Sequence, residues 1–267
     1  MVNKILIVVV LYNQRIEDCK TYQTFFHAPG LDVFIFDNSY ESHMRGEELP
    51  KGWCYRHDSS NPGLSHAYNE AARYAQEKGY EWVLLCDQDT NFANGIIENY
   101  RQAMIDYPDI PLIVPVIECN NGIMSPHKLP FVKPIELHGQ ILDLHKYMPI
   151  NSGMAVRLKE FFDVGGYKDS VFLDYSDFDF IRRFRRKYPY LYVMNVTCKQ
   201  DFSNDTNTSQ QKLNRFKLFC KSLKACDKPS FKDKIYYSYI INKRMFSLML
   251  SEKSFKPLLI NFKYYVL

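Results

Sequence analysis

The sequence predicts an open α/β sheet, Rossmann-like and mostly parallel, with flanking helices and a helical extension at the C-terminus. Three observations carry that reading. Apolar runs alternate with amphipathic ones through the first 117 residues, as strand and helix do in parallel α/β sheets. Two runs, 4–12 and 81–87, are nearly continuously apolar, as strands covered on both faces are. Beyond Lys212 the composition turns basic and aromatic.

Strands are expected at 4–12, 31–37, 53–57, 81–87 and 111–117. The first imitates a signal peptide, with Lys4 ahead of an apolar run. Tyr12-Asn13-Gln14-Arg15 then follows without a small-residue cleavage pattern, so a buried strand is the expectation and export is not. Leu64, Ala67, Tyr68, Ala71, Ala72 and Ala75 recur at helical spacing, and Gly79 supplies a stop. A second helix is expected over 92–107, ended by Pro108. From 118 to 149 the pattern loosens around Pro126, Pro130, Pro134 and Pro149, an irregular arm or hairpin. Order resumes at 151–156, followed by a helix over 177–187, a strand over 191–198 and a polar loop over 199–211. The expected division is an α/β body over 1–211 and a helical extension over 212–267.

Composition narrows the class. The 267 residues are 46% hydrophobic and 24% charged, ordinary for a globular chain, and no apolar run reaches the roughly eighteen residues of a membrane span. Seven scattered cysteines without a C-x-x-C pair fit reduced thiols in a cytosol, not a disulfide framework or zinc site. From Lys212 onward thirteen Lys/Arg face only Asp227, Asp233 and Glu252, a balance of +10 that leaves −6 for the remainder of a chain whose total is +4. An acidic body without RNA or DNA motifs disfavours nucleic acid as a partner.

The strongest chemical signal is Asp87-Gln88-Asp89 directly after the strand residues 81–86. Residues i and i+2 leaving a strand point to one side, so both carboxylates can converge on one hard cation, Mg or Mn, with positions left for a diphosphate. The structural alternative is that Asp89 or Thr90 caps the following helix. Asp37-Asn38-Ser39 at another strand end reads as a ribose acceptor or as a simple turn. Asp174, Asp177 and Asp179 form a second acidic cluster, ahead of Arg182, Arg183, Arg185 and Arg186, the order a helix dipole favours in any case. His66 reads as a phosphate contact or a polar helix residue.

Context gathers these signals. Val9-Val10-Leu11-Tyr12-Asn13, Phe36-Asp37-Asn38-Ser39, Asn61-Pro62-Gly63 with Ala67 and Asn69, Trp82, Asp87-Gln88-Asp89-Thr90, Asn151-Ser152-Gly153, Gly165-Gly166-Tyr167 and the run from Phe172 to Asp179 occur as an ordered series. In that series the sequence resembles glycosyltransferase family 2, with the GT-A fold, and within it the rhamnosyltransferase-like branch, over roughly residues 4–203. The resemblance implies an inverting, metal-dependent transfer of a sugar from a nucleotide-diphosphate donor, dTDP-rhamnose or a UDP-sugar, to a glycan or lipid-linked acceptor. It implies that Tyr12 and Asp37 hold the base and ribose, with Asn38, Asn61, Gly63 and Asn69 lining the same pocket. Asp87 and Asp89 would hold donor ribose and metal, Asp89 directly. Asp177 would be the base, Asp174 the substitute for an acid missing at Ser176, and Ser152 and Gly153 would lie on the acceptor side.

One departure is Gln200, which stands where family members often carry a histidine beside the metal or diphosphate; a neutral amide is the poorer ligand. Two other classes are open to this sequence. A sugar-phosphate nucleotidyltransferase would want a Gly-rich basic loop after the first strand, and Leu11-Tyr12-Asn13-Gln14 provides none. A non-catalytic nucleotide-sugar-binding protein is suggested by Ser176 and Gln200. The basic tail reads either as a helical lid or as a peripheral contact with the cytoplasmic membrane face, through a helix bearing Lys212, Arg215, Phe216, Phe219 and Leu223.

Overall fold

Leu6, Val8 and Val10 of the first strand face one hydrophobic core, and Ile5, Ile7, Val9 and Leu11 face another, so this strand is buried on both sides. The structure, a computed structural model, describes residues 4–26, 28, 30–42, 44, 49–120, 122–129, 136–200 and 208–266. Strands β1 (Ile5–Leu11), β2 (Val33–Asp37), β3 (Trp53–His57) and β4 (Trp82–Asp87) pair in parallel in the order β3-β2-β1-β4. The sheet is completed by β6 (Leu112–Cys119), β11 (Met154–Arg157) and β12 (Tyr190–Gln200), with β11 inserted antiparallel between β4 and β6 and β12 parallel to β6. The sheet is thus mostly parallel, as expected, with β11 its antiparallel insertion at this side.

Helix α2 (Leu64–Glu77) covers one face. Ala67, Ala71, Ala72 and Ala75 are fully buried, and their small side chains let the helix settle closely on the sheet. Helix α4 (Leu158–Asp163) and α5 (Ser176–Phe184) share that face, while α1 (Lys20–Phe26) and α3 (Ile96–Asp106) cover the other. Helices α1 and α4 had no expectation, since seven and six residues are too short to show a period.

Helix α3 starts at Ile96 behind Gly95, four residues later than expected, because Thr90–Asn91 forms a short strand β5 on the end of β12. Neither Asp89 nor Thr90 caps it. The arm after β6 is partly stranded: β7 (Gly122–Ser125) folds back on β6, β8 (His127–Lys128) pairs with β10 (Tyr147–Met148), and β9 (Gln140–Asp143) lies on β12. Pro130, Pro134, most of the polar loop expected over 199–211 and the last residues of the family resemblance lie outside the described residues. All seven cysteines are free.

The C-terminal extension is helical, as expected: α6 (Ser209–Ala225), α7 (Phe231–Glu252), α8 (Lys256–Asn261) and a π turn at 262–266. Capping boxes start the first two, Thr208 with Gln211 and Ser230 with Asp233. Phe216, Phe219 and Leu223 pack inward with Val171, Tyr237 and Ile241 in a third core. Of the two readings of α6, the lid that packs its aromatics on the body matches these contacts, and the apolar face that a membrane contact would have used is interior. Lys168 to Asp227, Arg215 to Asp174 and Arg182 to Asp233 tie the extension to the body.

Candidate active site

Register brings the expected residues to one edge of the sheet. Leu11 pairs with Asp37, Val10 with Asp87 and Asp37 with His57, so three adjacent strands deliver Tyr12, Asp37 and Asp87 at the same carboxyl end. Strand β12 arrives there from the other side of the sheet, its last residue Gln200 paired with Thr90.

The acidic pair sits at the centre. Gln200 donates through one amide nitrogen to Asp89 Oδ1 at 2.9 Å and Asp87 Oδ2 at 3.3 Å. The Tyr68 hydroxyl, fully buried on α2, donates to Asp87 Oδ1 at 3.2 Å. Beneath them Ser152 Oγ accepts the Asp87 N–H at 3.2 Å and meets Thr90 Oγ1 at 2.6 Å, while Thr21 donates to the Asp87 and Thr90 carbonyls at 2.5 and 2.9 Å. Burial, and then the neighbouring charge of Asp89, push Asp87 up to about 7; burial likewise raises Asp89. Both prefer a proton or a cation.

Gly153 is also part of the floor. Its φ of +78° and the proximity of Pro115, 2.8 Å from a Cβ built there, leave room only for glycine, and its carbonyl accepts the Tyr100 hydroxyl. Ser152 and Gly153 thus lie under the carboxylates as supports.

On the β1–β2 side Asp37 is fully buried and accepts Ser39 N–H at 2.9 Å and the Tyr55 hydroxyl at 2.6 Å. Asn38 is 4% exposed, and its Oδ1 has no hydrogen-bond partner among the described residues. Tyr12 stands out into solvent at 52% exposure, its N–H held by Gln88 at 2.8 Å. Asn61 takes a positive φ of 50° in the turn before α2.

Gly63 and Asn69 serve the fold in this structure. A Cβ on Gly63 would come 2.6 Å from the Phe172 ring. The Asn69 amide donates to Tyr167 O at 2.8 Å and Asp169 at 2.7 Å and accepts Tyr167 N–H at 2.8 Å. His66 lies between Glu70 and Asp169, a poor setting for a phosphate.

The second acidic cluster divides. Asp177, in the first turn of α5, accepts Phe178 N–H at 2.8 Å; burial pushes it up to about 6, and its charge is felt at Asp87 and at Tyr167. Asp174 is ion-paired with Arg215 of α6 at 2.8 Å. Asp179 is buried against Arg183 at 3.0 Å and accepts the Asp227 N–H, so it is structural. Ser176 anchors the helix start through Asn151, which in turn accepts the Tyr167 hydroxyl at 2.6 Å. Tyr55, Tyr68 and Tyr167 were not expected. A tyrosine at helical spacing, as Tyr68 is, reads as core, and only the fold shows the hydroxyls of Tyr55 and Tyr68 reaching Asp37 and Asp87 and that of Tyr167 reaching the Asn151 amide oxygen.

A divalent cation fits the donor set. Asp87 and Asp89 converge closely enough to share one amide, both are held above the usual carboxylate range, and Gln200 Oε1 is a buried acceptor without a partner among the described residues. Those are hard oxygens suited to Mg or Mn, and they would leave further coordination positions open. No group of three or more His, Cys, Asp or Glu side chains converges among the described residues.

This sheet order, with acids at its carboxyl edge and helices behind, is a GT-A-like glycosyltransferase fold. Solved structures of that class share it. The S. aureus TarS structure matches with a TM-score of 0.52 and 14% identity over 91% of this chain and 44% of that one. S. aureus TarS 1–349 in complex with UDP-GlcNAc matches with 0.53 and 13%, over 91% and 73%. The mannosyltransferase PcManGT from Pyrobaculum calidifontis, in complex with GDP-Man and Mn2+, matches with 0.51 and 12%, over 96% and 73%. The chain thus spans less than half of the first of these structures, and identities this low define the fold alone. No protein-family profile and no curated relative matches the sequence.

Proposed function

We propose that the protein is an inverting glycosyltransferase of the family 2, rhamnosyltransferase-like kind. In this reading it transfers a sugar from dTDP-rhamnose or a UDP-sugar to a hydroxyl of a surface polysaccharide or glycolipid precursor. The observation that carries it is the convergence of Asp87 and Asp89 on one Gln200 amide nitrogen at the carboxyl edge of a glycosyltransferase-type sheet, with Asp177 of α5 near enough for its charge to bear on Asp87. Residues 1–211 form the catalytic body in this reading and 212–267 its extension.

The donor's nucleoside would lie over β1 and β2. Asp37, with Tyr55 fixing one oxygen, suits a ribose hydroxyl, and the orphaned Asn38 Oδ1 suits the imide N–H of a uracil or thymine base. Asp87 and Asp89 would hold Mg or Mn, with Gln200 turned to offer its oxygen. The cation supplies Lewis-acid stabilisation of the departing diphosphate.

Asp177 takes the proton of the acceptor hydroxyl as that oxygen attacks the anomeric carbon. The new C–O bond forms on the face opposite the leaving diphosphate, the old C–O bond breaks, and configuration inverts. The raised proton affinity of Asp177 makes it a better base than an ordinary aspartate near neutral pH.

A panel of UDP-, dTDP- and GDP-sugars with Mn²⁺, read by thermal shift and by release of nucleoside diphosphate, tests this. Stabilisation with release supports transfer. Stabilisation without release favours the non-catalytic binding module, for which the Gln200 amide spanning both acids is the supporting observation. Release of pyrophosphate from a nucleoside triphosphate and a sugar phosphate would favour the nucleotidyltransferase.

A further inference from the structure

Helix α7 is apolar on two sides, and among the described residues only one of them is covered. Tyr237, Ile241 and Met245 face inward and are buried in the third core. Phe231, Ile235, Tyr239, Phe246 and Leu250 recur at steps of four or seven residues, which sets them on a single opposite face. They are open to solvent, Phe231 at 76% and Leu250 at 79% exposure. Past the turn at Lys253 the apolar surface resumes with Leu258, Leu259 and Phe262, also exposed. A helix of 22 residues runs about 33 Å, so this is a long strip and not an isolated side chain.

We propose that this strip docks onto the surface of an anionic phospholipid bilayer. The inference does not rest on the glycosyltransferase reading; it concerns a surface remote in sequence from the acidic site. Charge decides the occupant. Lys232, Lys234, Lys243, Lys253, Lys256 and Lys263 are all exposed around the strip. The two acids of the same segment are neutralised within the protein, Asp233 by Arg182 and Glu252 by Lys212. An apolar centre whose positive border has no ion-pair partner among the described residues complements acyl chains beneath anionic headgroups. A second copy of the chain fits poorly, because a two-fold contact through this face would bring one lysine border against the other. Aromatic residues along the strip suit the depth of the headgroup boundary. Among the described residues no helix is long and apolar enough to cross a membrane, so α7 would lie along the surface.

The inward-facing α6 changes how this must be tested. Deleting 212–267 would uncover Val171 and Tyr175 of the body, so the full chain with surface variants is the proper material. Sedimentation is measured with vesicles of phosphatidylcholine alone and with roughly one quarter phosphatidylserine, at about 0.1 M and about 0.5 M salt. The expected result is association with the anionic vesicles that weakens at the higher salt. Lys243→Gln, Lys253→Gln and Lys256→Gln together should lower the partition roughly hundredfold, at about fivefold for each charge. Phe246→Ser with Leu250→Ser should lower it at least ~10-fold with an unchanged thermal transition. Should that pair misfold, the lysine variant decides. Absent binding, equal binding to neutral vesicles, or indifference to the lysine variant would overturn the proposal. So would a dimer that the serine pair dissociates.

Discussion

One amide nitrogen of Gln200 serves both acids of the Asp87-Gln88-Asp89 turn, at 2.9 Å from Asp89 and 3.3 Å from Asp87. The same two carboxylates, with the Gln200 side chain turned, would hold a divalent cation. Gln200→Glu adds a third carboxylate there, so Mn²⁺ affinity at pH 8 should tighten by about 10-fold or more. Calorimetric titration of the two proteins with Mn²⁺ checks this. Equal affinities would mean that Gln200 and the acidic pair do not act on one ion.

Asp89→Asn should leave the thermal transition unchanged or slightly higher, since burial already disfavours the charge it removes. Metal-dependent transfer should fall by at least ~10², the usual scale for losing one electrostatic participant in a transition state. Ordinary activity in this variant at ordinary metal concentration would withdraw the metal assignment.

Much of this was legible in the sequence because the signals were local. The apolar runs of β1 and β4 and the alanine spacing of α2 stated their own burial, and the boundaries fell within a few residues. What could not be read was long-range. Gln200 reaches Asp89 only because β12 extends two residues beyond its expected end and pairs with β5. Tyr68 reads as helix core until the sheet places Asp87 against its hydroxyl. Asn69 and Gly63 lay inside a recognisable motif, yet the fold employs them in packing against 167–172. Lys212, Arg215 and Phe216 had helical spacing, which reports one apolar face but not whether protein or lipid covers it.

Gly63→Ala tests that packing role. Its backbone, φ 98° and ψ 169°, is a conformation essentially confined to glycine, and the new methyl would meet both the Phe172 ring and its carbonyl. Backbone strain and displacement of Phe172 together should cost about 2–4 kcal/mol. Urea unfolding should show a lower midpoint with an unchanged slope. A loss of nucleotide affinity at unaltered stability would instead place Gly63 in the donor pocket.

The base carries the last prediction, because stability and activity must respond to it in opposite directions. Asp177 rises from 3.8 to about 6 on folding, chiefly through burial. Between those values the folded chain binds more protons than the unfolded one, so this group makes stability fall as pH rises from about 4 to about 6. The deficit then persists at higher pH, at most about 3 kcal/mol for a shift of this size. Asp177→Asn removes that deficit. It should match the parent protein near pH 4 and be more stable at pH 8. Transfer should behave oppositely: the parent's rate climbs through pH ~6 as the carboxylate forms, and Asp177→Asn should lose at least ~10² with donor affinity nearly intact. Asp174→Asn is the comparison. Its partner Arg215 is half exposed, so the ion pair contributes on the order of 1 kcal/mol or less, and transfer should survive its loss. Chemical unfolding at the two pH values, a coupled transfer assay and calorimetric donor binding measure these separately. An inactive Asp174→Asn beside an active Asp177→Asn would move the base to Asp174. Transfer retained in both would leave α5 with an acidic first turn that serves only its helix.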